Sequence, residues 1–101
     1  MKYTLLCDDN FHYMEESERE VIGDFESAEA AIAAAKGIVD RDLLKFHRSG
    51  MDAGQLYAHY QSFGLDPFIR SDDRSCVFSA WTYAETRCRE ICAGRSVPGD
   101  L

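Results

Sequence analysis

The chain has no apolar run as long as a membrane span, no cluster of basic residues and no CxxC pair. A helix needs about 20 consecutive apolar residues to cross a bilayer, so the sequence predicts no membrane-spanning segment. The N-terminus lacks the apolar core and small-residue cleavage site of a secretory signal, so we expect a cytoplasmic protein with reduced thiols. The eleven basic residues are scattered and the net charge is −7, which disfavours nucleic acid as a partner.

The composition is that of a folded domain. Hydrophobic residues make up 46% of the 101 residues and charged residues 29%, which lies in the globular range and disfavours disorder. No internal repeat or low-complexity segment is present. We therefore expect one domain over residues 1–94 and a flexible tail over residues 95–101.

The hydrophobic pattern predicts two strands and three helices. Residues 2–7 and 18–25 alternate like an antiparallel hairpin, with Leu6 and Ile22 together on the second face. Helices are predicted from the cap Ser27 to about residue 48, over residues 52–63, and over residues 80–93. Residues 66–79 are predicted to be a loop, in which residues 68–70 could add a third short strand. The predicted fold is α+β: an N-terminal antiparallel hairpin packed on one long and two shorter helices.

Helical spacing of apolar residues predicts the buried face of each helix. Gly37 interrupts the first helix at a cost of about 1 kcal/mol relative to Ala, which suggests close packing or a bend. The residues predicted to face inward are Ile32, Ala35, Val39, Leu43 and Phe46 in the first helix, Leu56, Tyr60 and Phe63 in the second, and Trp81, Ala84, Cys88 and Ile91 in the third.

Acidic residues are concentrated near the N-terminus. Residues 8–29 hold nine of the eighteen acidic side chains and one basic residue, Arg19. Charge of one sign in one segment attracts cations and repels polyanions, so it bears on the choice of partner.

The hairpin connection is the candidate binding element. Residues 8–17 separate the predicted strands, where two to five residues are usual. One interpretation is that the strands extend further, with an aromatic residue of the loop on the core. The other is a binding tip with aromatic anchors in an acidic rim, suited to a basic protein or peptide. The candidate partner-binding residues are Asp8, Asp9, Phe11, His12, Tyr13, Glu15 and Glu16.

The same loop fails as a calcium site. Asp8, Asn10 and His12 stand at the first three ligand positions, but Tyr13 replaces the required Gly and Arg19 replaces the bidentate Glu. We therefore predict no metal ligand and no cofactor.

Reactive chemistry also has weak sequence support. Cys88 and Cys92 are one helical turn apart, but Cys88 falls on an apolar stripe and is expected to pack in the core. Cys76 precedes a helix, and no spacing brings His12, His47 or His59 to it as a base. Residues 72–74 are expected to carry solvated loop charge. We predict a protein that is not an enzyme.

Two resemblances accompany these features. The join GDFESAEAAIAAA is similar to that of small three-stranded nucleic-acid-binding domains, whose strands are basic, whereas these are acidic. Together with YTLLCDDNFHYMEESERE, SFGLDPFIRSDD and FSAWTYAETRCREIC, it resembles a family of small uncharacterised bacterial proteins. That resemblance implies no activity or site residues, only that the acidic loop and residues 62–73 are family features.

The favoured hypothesis is a non-enzymatic cytoplasmic interaction module whose acidic loop engages a basic partner. The first alternative is a protein that binds a small molecule or a divalent metal between residues 8–17 and 66–76. The second is a structural or oligomeric protein that uses the Leu6 and Ile22 face. We expect a monomer or a weak homo-oligomer.

Overall fold

Three strands and three helices confirm the predicted α+β fold in the computed structural model, which describes residues 2–9 and 20–93. In chain order the elements are β1 (Tyr3–Asp9), β2 (Glu20–Phe25), α1 (Ala28–Phe46), α2 (Ala53–Phe63), β3 (Leu65–Arg70) and α3 (Ala80–Cys92). Helices take up 52% of the described residues and strands 23%. The antiparallel sheet has the order β2-β1-β3, so β1 lies in the middle.

The central strand is longer than the alternation predicted. It continues through Asp8 and Asp9 because β3 pairs with this extension, with Asp8 opposite Asp66. β2 is described from Glu20, and its predicted start at residue 18 falls within residues 10–19, which lie outside the described residues. Of the two interpretations of residues 8–17, the extension of the strands is therefore confirmed for β1 at Asp8 and Asp9.

A β-bulge changes which face of the sheet Ile22 occupies. Leu5 pairs with Gly23 but Leu6 pairs with Val21, which leaves Ile22 as the extra residue. Ile22 consequently borders α1 together with Leu5, and its predicted grouping with Leu6 is wrong. Leu6 itself is buried by this chain.

α1 begins at the predicted cap, where the Ser27 hydroxyl accepts the N–H of Ala30 at 3.1 Å. It ends at Phe46, two residues before the predicted end, and Gly50 follows with a φ of 86° in the turn to α2. Ile32 is only partly buried, and Ala31 takes the inward position instead.

α2 has the predicted capping box. The Asp52 carboxylate accepts the N–H of Gln55 at 2.8 Å, and the Gln55 side chain accepts the N–H of Asp52 at 3.0 Å. Leu56 and Tyr60 are buried as predicted, but Phe63 is 51% exposed. The inward prediction for Phe63 is wrong, and the ring instead lies against His59, with centroids 4.9 Å apart.

The first five residues of the predicted loop, 66–70, belong to strand β3. It runs from Leu65 to Arg70 and includes Pro67, which a strand tolerates at a sheet edge because no ladder N–H is required there. The predicted extended piece at residues 68–70 was correct in place but too short.

α3 packs across α1 and α2 to form the helical core. Its cap Ser79 accepts the N–H of Thr82, as predicted. Asp40 of α1 accepts hydrogen bonds from the Tyr83 hydroxyl at 2.9 Å and from Arg87 Nε at 2.8 Å, which fixes the two helices side by side. The core residues are Val39, Leu43, Leu56, Tyr60, Ala80, Ala84, Cys88 and Ile91, whereas Trp81 packs against them half-buried.

Within residues 2–9 and 20–93, no helix combines the length and apolar character needed to cross a membrane.

Candidate binding groove

The predicted site residues divide into described and undescribed ones. Asp8 and Asp9 lie near the end of β1, partly buried, beside Glu20 at the start of β2. The predicted loop residues lie outside the described residues: Phe11, His12, Tyr13, Glu15 and Glu16. The structure therefore places Asp8 and Asp9 in a strand at one end of the sheet.

A groove of about 620 Å³ opens between this end of the sheet and α1. Its apolar lining comes from both sides. The residues that form it are Leu5, Cys7, Ile22, Ala34, Gly37, Ile38 and Leu65. A volume of this size falls in the range of binding pockets, which are usually apolar with a few polar groups at the edge.

Small residues on α1 leave this groove open. A Cβ placed on Gly37 would meet no atom within 4 Å, so close packing does not explain this glycine. Ala34 precedes it by almost one turn and also lines the groove. The absence of larger side chains at these two positions keeps α1 from filling the space beside β1.

The polar rim of the groove is mainly acidic. Asp8, Asp9 and Glu20 line one end, and Arg41 is the basic residue among the lining side chains. Formal charges on the described lining therefore sum to about −2. Low-dielectric walls concentrate such a field, so the groove favours cations over anions.

The buried carboxylate of Asp42 binds the backbone of Leu65, one of the residues that line the groove. Asp42 of α1 is 9% exposed, and its Oδ2 accepts the N–H of Leu65 at 2.7 Å. The Tyr60 hydroxyl donates to the carbonyl of the same Leu65 at 2.6 Å. Burial raises the pKa of Asp42, while the Leu65 N–H acts in the opposite direction.

The sequence reasoning missed Asp42. Its burial could have been predicted from its position, because Asp42 comes three residues after Val39 and so lies on the apolar stripe of α1 rather than on its polar face.

Ionisable groups beside the rim have shifted pKa values. Burial, and secondarily the charge of Asp8, raises the pKa of Asp66 to about 6. Burial and then Asp66, the first of several carboxylates, raise the pKa of the Cys7 thiol to about 12. A thiol with such a pKa is protonated at neutral pH, so Cys7 is a poor nucleophile and a poor metal ligand.

The other cysteines are also free thiols. Burial raises the pKa of Cys88 to about 11 and also raises the pKa of Cys92. Among the described residues, no group of three His, Cys, Asp or Glu side chains is arranged to hold a metal ion. His47 caps the end of α1 and His59 lies between the rings of Phe46 and Phe63.

One predicted solvated charge has a structural role. Asp73 accepts hydrogen bonds from the Tyr3 hydroxyl and the Ser75 hydroxyl, both at 2.6 Å. Hydrogen bonds from Ser75 and Tyr3 lower the pKa of Asp73. The prediction of freely solvated charge is wrong for Asp73, which ties the segment after β3 back to the start of β1.

Comparisons of the chain with protein-family models, with curated proteins and with solved structures find no match.

Proposed function

We propose that the protein is a non-enzymatic cytoplasmic interaction module that binds a basic segment of a partner protein in the groove between α1 and the sheet. The observation that carries the proposal is the combination of an apolar floor with a rim made of Asp8, Asp9 and Glu20. An apolar side chain of the partner would fill the groove, and a Lys or Arg elsewhere in the same segment would be attracted by the carboxylates.

Charge at the rim sets specificity more than affinity in this proposal. Exposed ion pairs each contribute about 0.2–1 kcal/mol, so the apolar contact has to supply much of the binding free energy. The carboxylates would speed association and reject acidic partners. Binding should therefore require both an apolar residue and positive charge in the same segment.

The test uses two synthetic peptides of about ten residues, the length of a long strand. One alternates Lys with Val and the other alternates Glu with Val, so that they differ only in charge. Titration calorimetry should detect sub-millimolar binding of the Lys/Val peptide and no such binding of the Glu/Val peptide. The affinity for the Lys/Val peptide should fall as NaCl is added, because salt shortens the range of the electrostatic attraction. Equal binding of the two peptides, or no binding of either, would refute the proposal.

A groove-filling variant locates the site. Gly37→Leu places a good helix former where a Cβ meets open space, so the fold should be retained while the groove is filled. We expect it to weaken the Lys/Val peptide by at least about tenfold, roughly 1.4 kcal/mol. The matched control is Ala58→Leu on an exposed position of α2, which should bind like the parent.

A charge-matched pair tests the rim. Asp9→Asn with Glu20→Gln removes two groove carboxylates, and should weaken the Lys/Val peptide about fivefold. Asp72→Asn with Glu85→Gln gives the same net charge but changes exposed residues of the segment after β3 and of α3. Equal effects of the two double variants would mean that net charge, and not this groove, governs binding.

The groove volume also favours a second candidate, a small apolar ligand. This retains the small-molecule alternative but moves it from between residues 8–17 and 66–76, because β1 and β3 are directly paired there. The affinity for a neutral ligand would depend little on salt concentration, whereas the affinity for the Lys/Val peptide would fall as salt is added.

A further inference from the structure

The two edges of the sheet differ in what their backbone can bind. β2 pairs only with β1, and among the described residues no backbone hydrogen bond outside the sheet ladder involves β2. β3 is the other edge, and there Pro67 has no N–H. In addition, Asp42 and Tyr60 occupy the N–H and the carbonyl of Leu65. Side chains and Pro67 therefore limit pairing at the start of the β3 edge, and within the described residues β2 keeps one side of its backbone open.

β2 also presents apolar side chains at this open edge. Val21 is 64% exposed and Ile22 is 43% exposed. Edge strands avoid pairing through Pro, bulges or charged side chains, especially Lys. The described segment Glu20–Phe25 has no Pro and no Lys, and its charged residues, Glu20 and Asp24, repel an acidic strand but not a basic one. The bulge at Ile22 limits how far a regular ladder can run, but it also turns Ile22 toward the groove.

Charge selects what can pair with this edge. Glu20 and Asp24 lie on β2, and Glu26 follows it. A second copy of β2 would place these carboxylates near their own equivalents, which is unfavourable. Lys2 offsets Asp24 through an exposed ion pair at 3.7 Å, and the charge of Glu20 remains beside the groove. A basic strand is the complementary occupant.

We infer that the basic partner segment binds as a fourth strand on β2, with every second side chain directed toward the groove. This rests on the proposed function and adds a binding mode to it. Backbone hydrogen bonds to β2 would supply affinity, the groove would select the apolar side chains of one face, and the acidic residues of β2 would attract the basic side chains of the segment. Alternation places the apolar residues on one face of the added strand, against the groove beside Ile22, and the basic residues on the opposite face, which carries Asp24.

The test changes the peptide backbone and leaves its side chains and charge unaltered. Two versions of the Lys/Val peptide carry N-methyl groups on alternate residues, one version on the odd residues and the other on the even residues. In a strand, these two sets of N–H groups point to opposite edges. Strand addition predicts that one version loses at least about tenfold in affinity while the other stays within about threefold of the parent.

Other outcomes separate the inference from the proposed function. If both methylated versions bind like the parent peptide, or weaken equally, strand addition is wrong but the groove still binds a basic segment. If the parent peptide does not bind, both proposals fail. If the protein without peptide is a dimer that Ile22→Lys converts to a monomer, the occupant of β2 is a second copy and the inference is overturned.

An edge variant gives an independent reading. Ile22→Lys places a charge that disfavours both strand addition and a cationic partner at a position already 43% exposed. It should weaken the Lys/Val peptide by at least about tenfold. Val77→Lys makes the same chemical change at a residue that is 78% exposed and follows β3 in the chain, and it should have no effect. Backbone amide exchange of β2 should slow when the parent peptide is added.

Discussion

Replacing Asp42 tests the role of the one buried acid in the described core. Its Oδ2 accepts the Leu65 N–H at 2.7 Å, and the residue is 9% exposed. Asp42→Ala removes the acceptor and leaves that N–H without its partner. A hydrogen bond to a charged group contributes about 1.5–3 kcal/mol, so we expect the free energy of unfolding to fall by about 2–3 kcal/mol. For a domain of this size, that lowers the Tm by roughly 10–20 °C.

Asp42→Asn separates the hydrogen bond from the charge. The amide oxygen can still accept the Leu65 N–H, so the loss should stay below about 1 kcal/mol at pH 7. Urea and thermal unfolding followed by circular dichroism measure both variants, with Asp72→Asn as an exposed control. Equal destabilisation by Ala and Asn, or an Ala variant as stable as the parent, would refute the reasoning.

The raised pKa of Asp42 determines how the free energy of unfolding depends on pH. Burial raises the folded-state pKa of Asp42 above its ordinary 3.8. Between pH 3.8 and the folded-state pKa, Asp42 therefore keeps a proton in the folded state that it has released in the unfolded state. The stability from this group is fully present below pH 3.8 and is lost as pH rises through the folded pKa. The parent should be more stable relative to Asp42→Asn near pH 4 than at pH 7, and the reverse order would contradict the assigned shift.

Two further stability predictions follow from the same region. Gly64→Ala would force its Cβ into the buried ring of Tyr60, so we expect a loss of about 2–3 kcal/mol in urea unfolding, whereas Gly37→Ala, which meets no atom within 4 Å, should gain up to about 1 kcal/mol. A loss at both glycines would instead indicate a general intolerance of side chains. Asp66 has a pKa raised to about 6, so its stabilising contribution below pH 3.8 is lost as pH rises through about 6. Asp66→Asn should therefore raise the Tm by about 5 °C at pH 7.5 and by much less at pH 4, and an equal shift at both pH values would contradict the assignment.

Local chemistry made much of the fold predictable. The caps Ser27, Asp52 and Ser79 act within three residues of themselves, so their sequence signals were sufficient. The alternation alone left the end of β1 open, because Asp8 and Asp9 are extended by pairing with β3, more than 50 residues later in the chain. The bulge at Ile22 was missed for a similar reason, since the alternation of one strand does not show where its partner slips.

The groove was harder to predict than the fold. Asp8 and Asp9 of the acidic segment line the groove. Its other wall comes from Ala34 and Gly37 on α1, and their role depends on how the helix lies over the sheet. Gly37 in the middle of a helix suggested close packing or a bend, and the structure shows open space beside it instead of close packing.

Asp42 bears both on the stability of the fold and on which edge of the sheet can pair with another strand. A buried carboxylate on a helix stripe is a costly way to satisfy one N–H, because burial disfavours its charged form. The bond it makes is to Leu65, whose carbonyl is bonded to Tyr60. The same two side chains that stabilise the start of β3 thus keep it from accepting another strand. The acidic β2 edge, beside the groove, is the one at which we propose that a basic strand binds.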